Sequence, residues 1–285
     1  MQLVPMKELM DHAFTNHYAV PAFNVCNMEM MRGVLETAAE LRSPVILGIH
    51  PHEVAYFGNA ETAVAVATSL AKQFEGKFAI HLDHGGSFDE VMQCVRGGFS
   101  SVMFDGSPYP LEENIAITQK IVELTRPIGV TVEAEIGTIG MTSEFGDKLE
   151  NAHLSDPQSA QRLAETGIDC LAVAIGNAHG WYDGEPKLEF ELLESIVQRV
   201  KIPLVLHGGS GIPVESIRRA IRMGIAKVNV GIALRQAFIN EMKEFMEKNP
   251  EETGVMSILG SAKDKMKVPV KQYMEMCMSI GQLDK

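Results

Sequence analysis

The chain has no apolar run approaching the ~18–20 residues that a membrane-spanning helix needs, so neither a helical membrane protein nor a membrane partner is expected. Its start, MQLVPMKELMDHAF, carries an early acid and no apolar stretch ending in a cleavage site, which argues against a signal peptide. Cysteine is scarce. Cys26, Cys94, Cys170 and Cys277 are far apart and form no C-x-x-C, as expected of reduced thiols in a cytoplasmic protein. Basic residues are in deficit, 25 Lys and Arg against 37 Asp and Glu, and the net charge is -12. A phosphate backbone needs a basic surface, so no nucleic-acid partner is expected. A small anionic substrate stays compatible, because a local site can oppose the global charge. No G-x-G-x-x-G follows the first apolar run, which weakens a doubly wound open sheet. No linker or low-complexity segment interrupts the chain, and residues 1–285 are expected to form one domain.

Hydrophobic residues make up 46% of the chain and charged residues 22%, the balance of a packed globular protein. Short apolar runs recur at 18–25, 44–49, 77–83, 100–105, 130–137, 170–176, 202–209 and 226–231. Segments of helical spacing lie between them, among them MEMMRGVLETAAELR, SFDEVMQCVRGG, LEENIAITQKIVELTRPIG and DPQSAQRLAETG. Acid-rich or Asp and Ser starts and Gly ends mark their limits. Strands alternating with helices predict parallel βαβ units, and eight such units predict an α/β fold of the (β/α)8 TIM barrel type. Residues 249–285 read as polar extra C-terminal helices. A long loop, 138–155, follows the fifth strand, and long loops in compact domains are often lids.

Nearly every predicted strand ends in a polar residue: Asn24, His50, Asp83 with His84, Asp105, Glu135, His179 shortly after the sixth strand, His207 and Asn229. In a barrel these ends meet on one face, where active sites are built. His84, His179 and His207 come from three different strands. Three imidazoles and one open position make a catalytic zinc site, whereas a single histidine there would need nothing beyond a loop hydrogen bond. The glycine-rich HGGSGIP and NVGIALR follow the seventh and eighth strands and open helices. Amides at a helix N-terminus bind phosphate, and glycine lets the ligand approach the backbone; ordinary turn chemistry is the alternative.

HLDHGG, SVMFDGS, VEAEIG, LAVAIGNAHG, PLVLHGGSGIP and KVNVG, in this order, resemble the class II, zinc-dependent fructose-bisphosphate and tagatose-bisphosphate aldolases, as do PAFNV and SPVILG nearer the start. The resemblance runs from about residue 5 to 245. It implies a (β/α)8 barrel, a homodimer or homotetramer, and reversible aldol cleavage of a phosphorylated ketose to dihydroxyacetone phosphate. It implies one catalytic Zn2+ on His84, His179 and His207, a second or alternate metal position at Asp105 and Glu135, and a site for a monovalent cation. By the same resemblance Asp83 carries the proton of the reacting hydroxyl. Asn24, Gly180, Gly208, Gly209, Ser210, Asn229, Val230, Gly231 and Ile232 bind substrate, with Asn229 also touching the reacting carbons. Glu144, in the 138–155 loop, is the candidate for a second acid that exchanges the proton on the enediolate carbon.

The chemistry fits these groups. A Lewis acid stabilises the carbanion next to the ketone, so no Schiff-base lysine is required. Lys227 then reads as an exposed or salt-bridged lysine at a strand start, and His81 as a buried, hydrogen-bonded strand histidine. The chain departs from the family at Pro108, where His is common, and at Ile232 and Ala233, where Thr and Glu are common. GIHPHE, residues 48–53, carries an H-x-H at a strand end, the metal-binding device of barrel hydrolases. It also suits a substrate-facing role for His50 or His52, or a solvated loop. A non-catalytic sugar-phosphate sensor is the remaining alternative. Trp181 and Tyr182 either shape the aldehyde half of the pocket or pack their loop.

Overall fold

In the computed structural model all eight predicted strands form. They are β1 (Val20–Asn24), β2 (Val45–Ile49), β3 (Lys77–Gly85), β4 (Ser101–Phe104), β5 (Thr131–Ile136), β6 (Cys170–Val173), β7 (Leu204–Leu206) and β8 (Ile225–Val230). Each pairs in parallel with the next, and β8 pairs with β1, closing the barrel. The structure describes residues 1–141, 153–180, 182, 184 and 186–284. The strands read as near-continuous apolar runs because both of their faces are covered.

The helices are α1 (Met6–Thr15), α2 (Met28–Glu40), α3 (Pro51–Tyr56), α4 (Ala60–Ala71), α5 (Phe88–Arg96), α6 (Leu111–Thr125), α7 (Pro157–Ala164), α8 (Phe190–Arg199), α9 (Val214–Arg222), α10 (Ile232–Lys248) and α11 (Val255–Met276). Side chains of Asn27, Asn59, Ser87 and Asp156 accept hydrogen bonds from first-turn amides and so fix the starts of α2, α4, α5 and α7. No described helix is long and apolar enough to cross a membrane, and all four cysteines are free thiols.

Alternation along the strands sorts the core into two bodies. Outward residues such as Leu47, Ile80, Phe104 and Leu206 pack against the helices. Inward residues Val20, Ala22, Ile46, Ala79, Met103, Cys170, Ala172, Val205 and Ala226 pack with Met6, Leu9, Met10 and Ala13 of α1, which plugs one end of the barrel. Polar inward positions stack above this apolar floor. Ser101, His81, Glu133 and Lys227 form a buried layer, and two residues further along their strands stand Asp83, Glu135 and Asn229. The period of two therefore delivers polar residues in tiers toward the C-terminal mouth.

The end of the chain differs from expectation. Polar extra helices were expected over 249–285; the structure has one 22-residue helix, α11, followed by a short 3-10 turn at Gln282–Asp284. Ala262, Met266, Val270, Tyr273 and Met274 make a buried stripe along α11. It packs against α2, where a side-chain carbon at Gly33 would lie 2.8 Å from the Met266 methyl. Lys263 and Lys267 pair with Glu36 and Glu40 at 3.1 and 2.9 Å along the same seam.

Leu47 is fully buried between β2 and the helical layer. Leu47→Ala is expected to lower unfolding free energy by about 2–5 kcal/mol. Urea denaturation reads this as a lower midpoint at unchanged m-value, and an unchanged midpoint would contradict the assigned packing.

Candidate active site

His84 stands where the β3–β4 pairing slips: Leu82 pairs with Val102, but Gly85 with Phe104, so β3 carries one extra residue. His84 takes φ 54, in the left-handed region. A regular strand would send Asp83 and His84 to opposite faces; this bulge turns both toward the mouth of the barrel. The histidine ring then meets those of His179 and His207, with centroids 4.8 and 4.7 Å away. Each of the three residues offers a nitrogen, and these atoms lie within 4.8 Å of one another. His179 belongs to a two-residue strand, Ala178–His179, that pairs in parallel with Gly140–Met141 at the start of the long loop after β5.

The hydrogen-bond partners orient the rings. His84 Nδ1 lies 2.8 Å from Asp105 Oδ2, and His207 Nε2 lies 2.9 Å from Glu133 Oε1. Carboxylates only accept, so these two nitrogens carry the hydrogens, leaving lone pairs on His84 Nε2 and His207 Nδ1. Those two atoms face each other at 3.0 Å. Two converging lone pairs require a cation between them, either a metal ion or a proton. The donor set therefore fits a zinc ion, and His84 with Asp105 and Glu135 forms a second group of metal-binding spacing. Glu135 Oε2 is buried without a hydrogen-bond partner, as an oxygen near a cation site would be. Asp105 Oδ1 accepts from the amide and hydroxyl of Ser107, at 3.1 and 2.7 Å, next to Pro108. Among the described residues both metal-binding groups contain His84 and neither contains His50 or His52 of the H-x-H.

Asp83 is clamped from both sides. Asn24 Nδ2 donates to Oδ2 at 2.6 Å, and Asn229 Nδ2 donates to Oδ1 at 2.9 Å. Burial would raise the Asp83 pKa, but His84, then His207, Lys227 and His81, hold it well below the usual carboxylate range. The acid is thus ionised and able to accept a proton. Burial is also the largest effect on His84 and pulls its pKa down, yet Asp83, Asp105 and Glu135 together push it up to about 10.

The phosphate-loop residues gather beside this cluster. Gly208 has φ 63, and a side-chain carbon there would sit 1.9 Å from the Ala178 carbonyl, so only glycine lets the β7 loop pass the His179 segment. The Gly209 amide is committed to the Asn229 carbonyl at 2.8 Å, so it holds the loop against β8. Ser210 is buried, and its Oγ accepts from the Ala233 amide at 3.4 Å, while Gly180 has φ 93. Val230 ends β8, Gly231 caps α10, and buried Ile232 opens that helix. The Tyr273 hydroxyl of α11 accepts from the Gly211 amide at 3.3 Å, tying the last helix to this loop. Tyr182 packs its loop: its hydroxyl accepts from the Ala178 amide at 2.9 Å and donates to the Gly208 carbonyl at 3.0 Å. Glu144 and Trp181 lie outside the described residues.

Two buried residues, Lys227 and Glu133, gained their meaning only in the structure, while His81 is the buried, hydrogen-bonded strand histidine expected of it. Lys227 is salt-bridged as one of its two readings had it, but inside the barrel, 2.9 Å from Glu133 Oε2. Glu133, not singled out from the sequence, lies beneath the histidine triad and beside His81, whose Nδ1 is 2.7 Å from Ser101 Oγ. The available signal was the alternation of Glu133 with Glu135 and of Lys227 with Asn229.

The model of the class-II fructose-bisphosphate aldolase family matches residues 4–282. The chain is 42% identical to the D-tagatose-1,6-bisphosphate aldolase subunit GatY of Klebsiella oxytoca, over 99% of this chain and 100% of that one. It is also 42% identical to the fructose-bisphosphate aldolase of Geobacillus stearothermophilus, over 95% of both chains. The crystal structure of the YdjI aldolase of Escherichia coli K12 superposes with a TM-score of 0.84 at 34% identity, covering 98% of this chain and 99% of that one.

The triad sets a proton balance. Near pH 8 His84, with its pKa at about 10, is protonated, and zinc binds only the neutral ring. Zinc loading is expected to release about one proton there, and apparent affinity to climb with pH until the His84 pKa is passed. Calorimetry in two buffers of different ionisation enthalpy counts the proton, and a count of zero would contradict the assignment.

Proposed function

The chain belongs to the class-II fructose-bisphosphate aldolase family, and on that premise we propose that it cleaves a ketose bisphosphate such as fructose 1,6-bisphosphate or tagatose 1,6-bisphosphate reversibly to dihydroxyacetone phosphate and glyceraldehyde 3-phosphate. The observation that carries this reading is a doubly clamped, ionised Asp83 beside three converging histidines and two glycine-rich loops. His84, His179 and His207 would hold a zinc ion, which would supply Lewis-acid stabilisation of the charge that develops beside the ketone.

The chain's own residues do the rest. Asn24 and Asn229 orient Asp83, which accepts the proton of the C4 hydroxyl as the C3–C4 bond breaks. The bond's electron pair passes into the enediolate, and the aldehyde departs. In condensation Asp83 returns the proton. Asn229 Oδ1 is buried without a partner and is free to accept from a substrate hydroxyl at the reacting carbons. Gly180, Gly208, Gly209 and Ser210, with the Val230–Ile232 turn into α10, enclose the ketose phosphate, the helix start adding its amides. Asp105 and Glu135 steady His84 and offer the alternate metal position.

With the phosphate on the β7 and β8 side and Asp83 on β3, the aldehyde half extends over β1 and β2. There the His50 ring lies 6.1 Å from that of His84, and His52 stands 4.1 Å beyond it. Burial, the largest cause, pulls the His50 pKa down to about 4, and a neutral imidazole there favours a second reading: a ketose 1-phosphate with an uncharged aldehyde half. Membership of the family supports a cytoplasmic homodimer or homotetramer as part of the same proposal.

A cleavage panel of ketose 1-phosphates and 1,6-bisphosphates, with added zinc, tests the reaction. Dihydroxyacetone phosphate is the expected product, its release stopping with a chelator. Asp83→Ala is expected to keep zinc and lose cleavage by about 100-fold or more; near-normal turnover would remove its acid/base role. Glu144, the proposed acid for the enediolate carbon, is tested by Glu144→Ala. Proton exchange on dihydroxyacetone phosphate should slow about 100-fold while ketose binding changes little, and unchanged exchange would move the role elsewhere.

A further inference from the structure

Beneath the triad lies a cluster of charges that no step of the cleavage uses. Glu133, His81 and Lys227 are fully buried in the barrel, as is His207 of the triad above them. Glu133 Oε1 touches His207 Nε2 at 2.9 Å and Lys227 Nζ at 3.2 Å; Oε2 touches Lys227 Nζ at 2.9 Å and His81 Nε2 at 3.5 Å. Cys170 Sγ lies 3.6 Å from the same oxygen. A buried carboxylate survives only with its charge compensated, and Lys227 is the cation that does so.

We infer that Glu133 and Lys227 form a positioning pair, which holds the hydrogen of His207 on Nε2 and so makes Nδ1 the metal-facing atom. Lys227 bonds both oxygens of Glu133, which fixes the carboxylate plane and leaves one lone pair of Oε1 aimed at His207 Nε2. The opposite ring nitrogen then faces His84 Nε2 at 3.0 Å, with the Asn229 amide 3.3 Å away as a weak donor to that same lone pair. Without Glu133 the ring is free to carry its hydrogen on either nitrogen, and one of the two tautomers cannot bind metal through Nδ1. The pairing also explains why a lysine stands inside the barrel of an enzyme whose chemistry needs no Schiff base: it acts on the metal position through two intervening residues, Glu133 and His207. This inference rests on the zinc triad of the proposed function.

The test measures zinc affinity by competition with a chelator, together with the nitrogen shifts of 15N-labelled histidine in the intact wild-type protein. Glu133→Gln is expected to weaken zinc about 10- to 100-fold. The double variant Glu133→Gln/Lys227→Met, which leaves neither charge alone in the core, should weaken it as far. Matching unfolding midpoints for the metal-free forms separate this loss from a general loss of structure. In the wild type, His207 should show a protonated Nε2, and a Nδ1 resonance that moves on adding zinc. Variants that bind zinc within twofold of wild type overturn the inference, and so does a wild-type His207 that carries its hydrogen on Nδ1. The wild-type spectrum decides if the variants fail to fold. A wild-type protein that binds no zinc at all ends the proposed function instead.

Discussion

The ion pair between Glu133 and Lys227 is the constraint around which the barrel interior is arranged. Each charge alone would be prohibitively costly at full burial, and neither can reach water past α1 on one side or the histidine cluster on the other. Their strands must therefore keep register so that the two side chains meet at 2.9 Å. That register also decides what stands one tier higher: Glu135 above Glu133, Asn229 above Lys227, and Asp83 above His81. The reacting tier inherits its geometry from a charged tier that never touches substrate.

Above that tier the site concentrates charge of one sign. Asp83 and Asp105 act on a single histidine and raise the His84 pKa to about 10, while burial and Asp105 push the Glu135 carboxyl well above the usual carboxylate range. Such a site is built for a cation. Asp83 stays ionised for the opposite reason: His84, His207, Lys227 and His81 outweigh the effect of its burial. A cation site and an ionised Asp83 thus arise from one arrangement of charges, in which the base stands next to one of the ligands, His84, in the chain.

Much of this was legible in the amino-acid order. The eight strands appear as apolar runs because parallel strands buried on both faces need them. The three histidines stood out because each sits at the end of a separate strand, where a barrel brings them together. Other features were not legible. HLDHGG by alternation groups His81 with Asp83 and sets His84 apart, and only the bulge after Leu82 returns His84 to the same mouth. Tyr182 looked equally suited to pocket or packing until its hydroxyl was seen to join the Ala178 and Gly208 segments. The end of the chain looked polar because the apolar stripe of α11 is narrow amid lysines and acids, whose pairing with α2 is a long-range contact.

The sequence by itself determined which chemistry was available: three neutral-capable nitrogens, a carboxylate beside one of them, and glycines where backbone must approach a ligand. These are properties of residue type and strand period, and both are local. The tertiary structure alone decided which nitrogens of His84 and His207 face inward, which acid is paired and which stays available, and that Lys227 serves a carboxylate instead of a substrate. Those outcomes depend on contacts between residues 21 to 146 positions apart, such as His84 with Asp105, Glu133 with Lys227 and Asp83 with Asn229. No periodicity along one segment carries that information, because it exists only once the barrel has closed.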